Sequence, residues 1–398
     1  MIRPTVARVD LRALQSNYRH LVEYLGDDVR PGEGSAPPRV IAVVKANAYG
    51  HGATHVARAL EHAGADILAC ADIEEGAALR AAGVRAEILV FGALSVSDLD
   101  GLFDCRLTPT ISTPGAARAV QAAAAKHNQR LRYHLKIDTG MNRLGFRFDN
   151  LRRTLPELFA SDNLELDAVY THFATADDPG STLFDEQRVR FERALAEIAA
   201  IACDARPAVS GGTALTANLS SRTLDRPYVH AANSAAMLRD SRVWYHRVRP
   251  GLLLYGLVPP PLASTISIVP AITLSSRVVG VKGVRAGESV GYGATYVADC
   301  PRRIAIVPAG YADGLDLRLA GRGAVLIRGR RAPIVGSVCM DMLMADVTGL
   351  DASPGDDVVI IGAQGGDRID VREMAAQIGT IPYEILCRIG SRIQRLYE

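Results

Sequence analysis

The sequence predicts an α/β protein: an N-terminal (β/α)8 TIM-like barrel followed by a C-terminal mostly-β domain. Three observations predict it. From residue 40 onward, short apolar runs alternate with helical patterns, which implies parallel strands joined by crossovers. Eight such runs occur, the number that closes a barrel, with an open doubly wound sheet as the alternative. After Val258-Pro259-Pro260-Pro261 the pattern changes to β-branched runs punctuated by glycine. The expected division is therefore 1–262 for the barrel and 263–398 for the β domain.

Barrel strands are expected at 40–45, 66–70, 87–91, 106–111, 131–138, 165–171, 228–231 and 245–250. Between them His51–Gly64, Ile73–Gly83, Pro114–His127 and Phe184–Cys203 are alanine-rich with apolar residues at helical spacing. Gly64 and Gly83 close two of these, as helix C-termini favour. In the second half, strands are expected at Ile272–Val281, Arg303–Val307, Ala324–Ile327, Met344–Val347 and Val358–Ile361, with one late helix around Val371–Ile378. Two stretches read as insertions of no assignable role: Arg30–Arg39, and roughly Asp204–Arg226. No solenoid-type repeat is visible.

A chain of 398 residues exceeds one ordinary core, which agrees with two domains. Hydrophobic residues at 48% and charged residues at 22% fit a soluble globular enzyme. The net charge is +2 with no basic block, which argues against nucleic acid as a partner. Six scattered cysteines form no CxxC pair, so reduced thiols are expected, with neither a disulfide framework nor a metal site. The N-terminus lacks the apolar stretch of a signal peptide, and no apolar run approaches the roughly 20 residues of a membrane span. A cytoplasmic protein with no membrane partner is the expectation.

Only four lysines (Lys45, Lys126, Lys136 and Lys282) stand among 45 basic residues. Positions that need only positive charge have been given arginine. Lys45 survives that bias at the end of an apolar strand, in Val43-Val44-Lys45-Ala46-Asn47-Ala48-Tyr49-Gly50-His51-Gly52. Arginine keeps its proton, whereas a desolvated lysine can lose it and form a Schiff base. A solvated lysine ending a strand is the plainer alternative.

Function in a parallel barrel gathers where strands end. Arg143 follows the fifth strand, His172 ends the sixth, Ser234 follows the seventh, and Arg249 ends the eighth before Pro250-Gly251-Leu252. An amine, an imidazole, two guanidiniums and a serine beside glycine-flanked backbone suit an aldehyde cofactor that carries a phosphate.

The segment Lys45-Ala46-Asn47-Ala48-Tyr49-Gly50-His51-Gly52 resembles the cofactor-lysine motif of the alanine racemase family, fold-type III enzymes that use pyridoxal 5'-phosphate. Val290-Gly291-Tyr292-Gly293-Ala294-Thr295-Tyr296 and Gly310-Tyr311-Ala312-Asp313-Gly314 are similar to that family's second-half signatures, and the match runs in order from about residue 5 to 395. The resemblance implies racemisation of alanine, a supply of D-alanine for peptidoglycan precursors, and a head-to-tail homodimer. In that arrangement the β domain contributes to the partner's active site.

Roles follow from the resemblance residue by residue. Lys45 is the lysine that holds the cofactor and acts as one catalytic base. Tyr292 is the opposing base, supplied by the partner subunit. Racemisation needs two, since one face loses a proton while the other gains one. A tyrosine with an ordinary pKa of about 10 needs help to ionise, which the family assigns to His172 and Arg249. Arg249 is also expected to face the pyridine nitrogen, where it donates a hydrogen bond and keeps its proton. The ring then stays a weaker electron sink than an aspartate would make it. Tyr49, Asn233, Ser234, Tyr383 and the amides of Gly251 and Leu252 are assigned to the cofactor and its phosphate, although Tyr49 and Tyr383 taken singly read first as packed aromatics with a satisfied hydroxyl. Arg143 is expected at the cofactor's phenolic oxygen and near the substrate. Met340, Asp341 and Tyr311 are expected around the substrate carboxylate and its entrance. Lys136 is expected to carry a carbamate, since an unmodified lysine there would repel Arg143.

Two positions depart from the family. Ser337 and Leu317 stand where arginines are frequent, which bears on substrate breadth and leaves proton transfer untouched. Rival readings are a broad-specificity racemase of the same fold, a non-catalytic cofactor-binding barrel, a fold-type III decarboxylase and a cofactor-free aldolase. Gly291-Tyr292-Gly293 argues against the second, and Arg249 against the last two.

Overall fold

The computed structural model describes residues 4–27, 36–94, 98–205 and 227–398. Most of the 30–39 stretch and nearly all of the 204–226 stretch therefore lie outside the described residues. Chain contacts define two compact units. One comprises Leu14–Lys45 and Ala57–Val269, and the other Met1–Ala13, Ala46–Val56 and Pro270–Glu398. They are called here the barrel unit and the β unit.

In chain order the strands begin with β1 (Val6–Val9), which belongs to the β unit. The barrel unit holds β2 (Arg39–Val43), β3 (Ile67–Cys70), β4 (Glu87–Val90), β5 (Thr108–Ile111), β6 (Leu131–Asp138), β7 (Phe146–Arg147), β8 (Leu164–Tyr170), β9 (Tyr228–Asn233) and β10 (Arg247–Arg249). Pairing runs β5-β4-β3-β2-β10-β9-β8-β6, and β5 pairs β6 to close the ring; the short β7 only flanks β6. All these pairs are parallel. The fold is thus the closed eight-stranded barrel. Its strands fall within a few residues of the expected ranges because fully buried runs such as Ile41, Leu68, Leu89, Leu135 and Val229 need apolar residues almost throughout. The helices begin where the caps demand it. Thr113 accepts from the Ala116 amide with Pro114 in the first turn, and Asp72 accepts from the Glu75 amide.

The barrel interior is not wholly aliphatic. His134 and Lys136 on β6, His230 on β9, and Arg247 and Arg249 on β10 are all buried. Each pair spaced by two residues lies on one face of its strand. Two register shifts accompany them. On β6 and β8, Tyr133 pairs Leu166 while His134 pairs Ala168, so Asp167 is the extra residue of a bulge. Between β9 and β10, Arg247 pairs His230 but Arg249 pairs Asn233.

In the β unit the main sheet includes β11 (Ile272–Arg277), β16 (Ala324–Ile327), β17 (Arg330–Pro333), β19 (Asp357–Gln364) and β21 (Gln394–Tyr397), in the order β17-β16-β19-β11-β1-β21, with β20 (Asp367–Ile369) paired to β19. A second sheet joins β12 (Gly280–Val284), β15 (Arg302–Val307) and β18 (Leu343–Asp346), and β13 (Ser289–Val290) with β14 (Tyr296–Val297) makes a hairpin. The single strand expected at Ile272–Val281 is two strands. The Val278 amide donates to Asp356 and the next amide, of Val279, to Ile306, so the chain changes sheets there. A second late helix, Pro382–Cys387, follows the expected one at Val371–Ile378; at six residues it is too short to show a periodic pattern.

Candidate active site

Lys45 stands two residues beyond β2 and is half-buried. The four residues after it, Ala46, Asn47, Ala48 and Tyr49, all have φ near +50°, which makes a left-handed helical turn of non-glycine residues. Each such residue costs roughly 1–2 kcal/mol, so the turn persists only where its surroundings over-determine it. Those surroundings lie within the β unit. The buried His51 places Nδ1 2.9 Å from the Tyr49 carbonyl and 3.0 Å from that of Ala48. Both partners are acceptors, so Nδ1 carries the proton, and burial pushes the His51 pKa down to about 4. Arg395 Nε donates to the Gly50 carbonyl at 2.8 Å. Gly50 has φ +80°, and a Cβ on it would meet the Leu386 carbonyl oxygen at 2.1 Å. Tyr49 is buried against Tyr383, ring centroids 5.8 Å apart, and burial raises its pKa far above the ordinary range.

At the strand ends of the barrel unit, Arg249 is 3% exposed and donates in several directions. One terminal nitrogen reaches His230 Nδ1 at 2.7 Å; the other reaches the Thr171 and Ala231 carbonyls at 2.8 Å and His172 Nδ1 at 3.2 Å. Its guanidinium lies over the Tyr170 ring, 5.1 Å from the centroid, and Lys136 Nζ lies 5.6 Å from the same ring. Burial pushes the Arg249 pKa down to about 10, which leaves it charged at neutral pH. His172 is pushed well below its ordinary value, first by burial and then by Arg249, Lys136, Arg143 and Lys45. It is neutral, and since Nδ1 accepts, its proton sits on Nε2. Burial, followed by repulsion from Arg143 and Arg249, lowers Lys136 from 10.5 to about 8. Arg143 is exposed, on a loop shaped by Asp138, whose carboxylate accepts from the Gly140 and Asn142 amides. Gln187, fully buried, ties this loop to the next by donating to Thr139 Oγ1 and the His172 carbonyl.

After β9, Asn233 caps the helix Ser234–Arg239 by accepting from the Ala236 amide at 2.9 Å. Ser234 Oγ accepts from the Gly251 amide at 2.8 Å and the Leu253 amide at 3.4 Å, and Leu252 begins a 3-10 turn. The seventh and eighth strand ends are therefore laced together through one serine.

In the β unit, Tyr292 sits at the tip of the β13–β14 hairpin and is 78% exposed. Gly291 and Gly293 flank it with φ of +78° and +72°, and Ser337 Oγ donates to its carbonyl at 2.8 Å. Gly310 allows Tyr311-Ala312 to lie against Cys339-Met340, whose carbonyls accept their amides at 3.0 Å. A Cβ on Gly310 would meet both carbonyl oxygens, at 2.2 and 2.4 Å. Tyr311, Met340 and Asp341 are thus brought together, all exposed, with Asp341 held by Arg392 at 2.6 Å. Leu317 is exposed, and the neighbouring Arg318 is committed to both oxygens of Asp316.

The model for the N-terminal domain of alanine racemase matches residues 9–218 and 211–259, and that for its C-terminal domain matches 271–397. The chain belongs to the alanine racemase family. It is 41% identical to the alanine racemase of Symbiobacterium thermophilum over 100% of this chain and 97% of that one. It is 40% identical to that of Carboxydothermus hydrogenoformans over the whole of both chains. Among solved structures, the Streptomyces lavendulae alanine racemase aligns with a TM-score of 0.87 at 32% identity, covering 100% of this chain and 98% of that one. The Bartonella henselae enzyme, with covalently bound pyridoxal phosphate, aligns at 0.82 and 28%, covering 99% of each. Among the described residues no helix is long and apolar enough to cross a membrane.

Sequence reasoning about single residues passed over Tyr170, His230 and Gln187. The signal was present for His230: Tyr228-Val229-His230 and Arg247-Val248-Arg249 each place polar residues two apart in a buried strand.

Proposed function

We propose that the protein racemises alanine with pyridoxal 5'-phosphate, in the cytoplasm, as a head-to-tail homodimer, and supplies D-alanine for peptidoglycan precursors. The domain division at 262/263 belongs to the same reading. The observation that carries it is the buried Arg249, held by two carbonyls and two neutral imidazoles among the cations Lys45, Lys136 and Arg143. That donor set fits a phosphorylated cofactor and a carboxylate substrate, because several cations gathered at one set of strand ends favour bound anions. When bound, the cofactor withdraws electrons from the substrate's α-carbon and acidifies its proton.

The protein's own groups do the rest. Lys45 holds the cofactor and exchanges the α-proton on one face, while Tyr292 of the partner subunit exchanges it on the other. His172 offers its Nε2 proton, and Arg249 its charge, to the phenolate that forms on that tyrosine. Arg249 keeps its proton and, facing the cofactor's ring nitrogen, would limit electron withdrawal there. Ser234 has accepted from two amides, so its hydroxyl proton is available for the phosphate, alongside the Leu252 amide, Asn233, Tyr49 and Tyr383; Gly251 acts by orienting Ser234. Arg143 would help hold the cofactor through its phenolic oxygen and, with Met340, Asp341 and Tyr311, would receive the substrate. With a pKa of about 8, Lys136 has enough neutral amine for its lone pair to add to CO2 with release of one N–H proton to solvent, and the resulting carbamate neutralises Arg143.

One experiment tests cofactor and reaction together. Purified protein should show a cofactor absorbance band that borohydride removes, and the circular dichroism of L-alanine should decay to zero. A band without decay would overturn the alanine assignment. It would favour a broad-specificity racemase, the reading suggested by Ser337 and the exposed Leu317.

A further inference from the structure

Arg249 is a buried cation whose hydrogen-bond acceptors are all neutral. A guanidinium without a carboxylate partner is costly to bury, so its compensation must come from further away. The path is visible in the barrel interior. Arg249 reaches His230 Nδ1 at 2.7 Å, His230 Nε2 reaches His134 Nδ1 at 3.1 Å, and His134 Nε2 lies 3.0 Å from the Tyr228 hydroxyl and 3.5 Å from Asp167 Oδ2. His134, His230 and Asp167 are at most 1% exposed.

The directions of these bonds are dictated from one end. Arginine can only donate, so His230 Nδ1 accepts and the ring carries its proton on Nε2. That proton is donated to His134 Nδ1, which forces the proton of His134 onto Nε2, facing Tyr228 and Asp167. Two neutral imidazoles therefore point the same way, from a cation toward a carboxylate, and polarise one another along the chain. The bulge that makes Asp167 the extra residue on β8 is what turns this carboxylate inward. Glu87, His134 and Asp167 also hold their polar atoms within 4.8 Å of one another, a spacing a metal could use. Both nitrogens of His134 are already engaged by His230 and Tyr228, so His134 has no lone pair left for an ion.

We infer that Asp167 is a positioning residue for racemisation: acting through the fixed tautomers of His134 and His230, it orients Arg249 and offsets its charge. The inference rests on the proposed reading of Arg249, but the chain of tautomers is measurable without it. Nitrogen NMR of 15N-histidine-labelled protein, assigned with His134→Gln and His230→Gln, should show both rings neutral with Nε2 protonated. Asp167→Asn keeps the shape and removes the charge. It should move the His230 signals and lower kcat about 10- to 100-fold, the range that outer partners of a site command, with KM for alanine changed by less than about threefold. A doubly protonated or Nδ1-protonated ring at either position would overturn the inference. So would Asp167→Asn with wild-type kcat, or with a changed KM alone. Should that variant not fold, Asp167→Ser, which also removes the charge, is read by the same kcat and histidine signals, and the wild-type spectrum tests the tautomers whatever substrate the protein turns over.

Discussion

The barrel-unit cluster and the β-unit cluster are built on opposite principles. Arg249, His172, Lys136 and Ser234 are buried or nearly so, and each is held by partners from neighbouring strand ends. Tyr292, Tyr311 and Met340 are exposed, with only their backbones fixed, through Ser337, Gly310 and Cys339. Large apolar side chains presented to solvent on a rigid backbone are what an interface offers before it is covered. The difference teaches that one cluster fixes its side chains through its own supports, whereas the other fixes its backbone and leaves its side chains in solvent.

Substitutions can break or sharpen that contrast. The largest effect is expected at Lys45→Ala: removal of both the attachment point and a base should cut turnover by roughly 10^4-fold or more in the circular dichroism assay. Tyr292→Phe should follow, with a loss of about 10^2- to 10^4-fold in kcat. Because that side chain is exposed, stability should stay within about 0.5 kcal/mol of wild type by denaturant titration. A variant that lost both activity and stability would erase the distinction drawn here. Gly310→Ala strikes the backbone under the exposed cluster, where a Cβ has two oxygens within 2.4 Å. It should cost about 2–4 kcal/mol in the same titration, and unchanged stability would mean that the Tyr311 turn can move aside. The smallest effect concerns Lys136. Its folded pKa lies below the ordinary 10.5, so the neutral amine appears as pH rises through about 8. With 13C-bicarbonate, a carbamate resonance should grow between about pH 7 and 9 and be missing from Lys136→Arg, since arginine keeps its proton. No resonance at any pH would leave Arg143 facing a cation.

Legibility in the sequence followed the range of the interactions. Barrel strands were readable because burial on both faces demands continuous apolar runs, as in Val40-Ile41-Ala42-Val43. β1 was missed because four residues, Val6–Val9, gain their structure only from partners at 272–275 and 394–397. Tyr292 was singled out only through the resemblance of Val290–Tyr296 to a family signature; the positive φ of its flanking glycines is the local feature that shapes the hairpin tip. Asp167 was not legible, since a bulge is a property of two strands in register and leaves no mark in one of them. Nor was the left-handed turn, made of Ala46, Asn47, Ala48 and Tyr49 instead of the glycines that would announce it.

That turn has a consequence in time. Its stay, Arg395, lies 345 positions further along the chain than the Gly50 carbonyl it grips. At about 5–20 residues per second of synthesis, roughly 20 to 70 seconds separate the emergence of the two. Over that interval four residues have no reason to bear a hand that costs each of them energy, and the amine at Lys45 rides on ordinary loose chain. A half-made molecule thus lacks this left-handed turn, which takes its hand only when synthesis has all but ended.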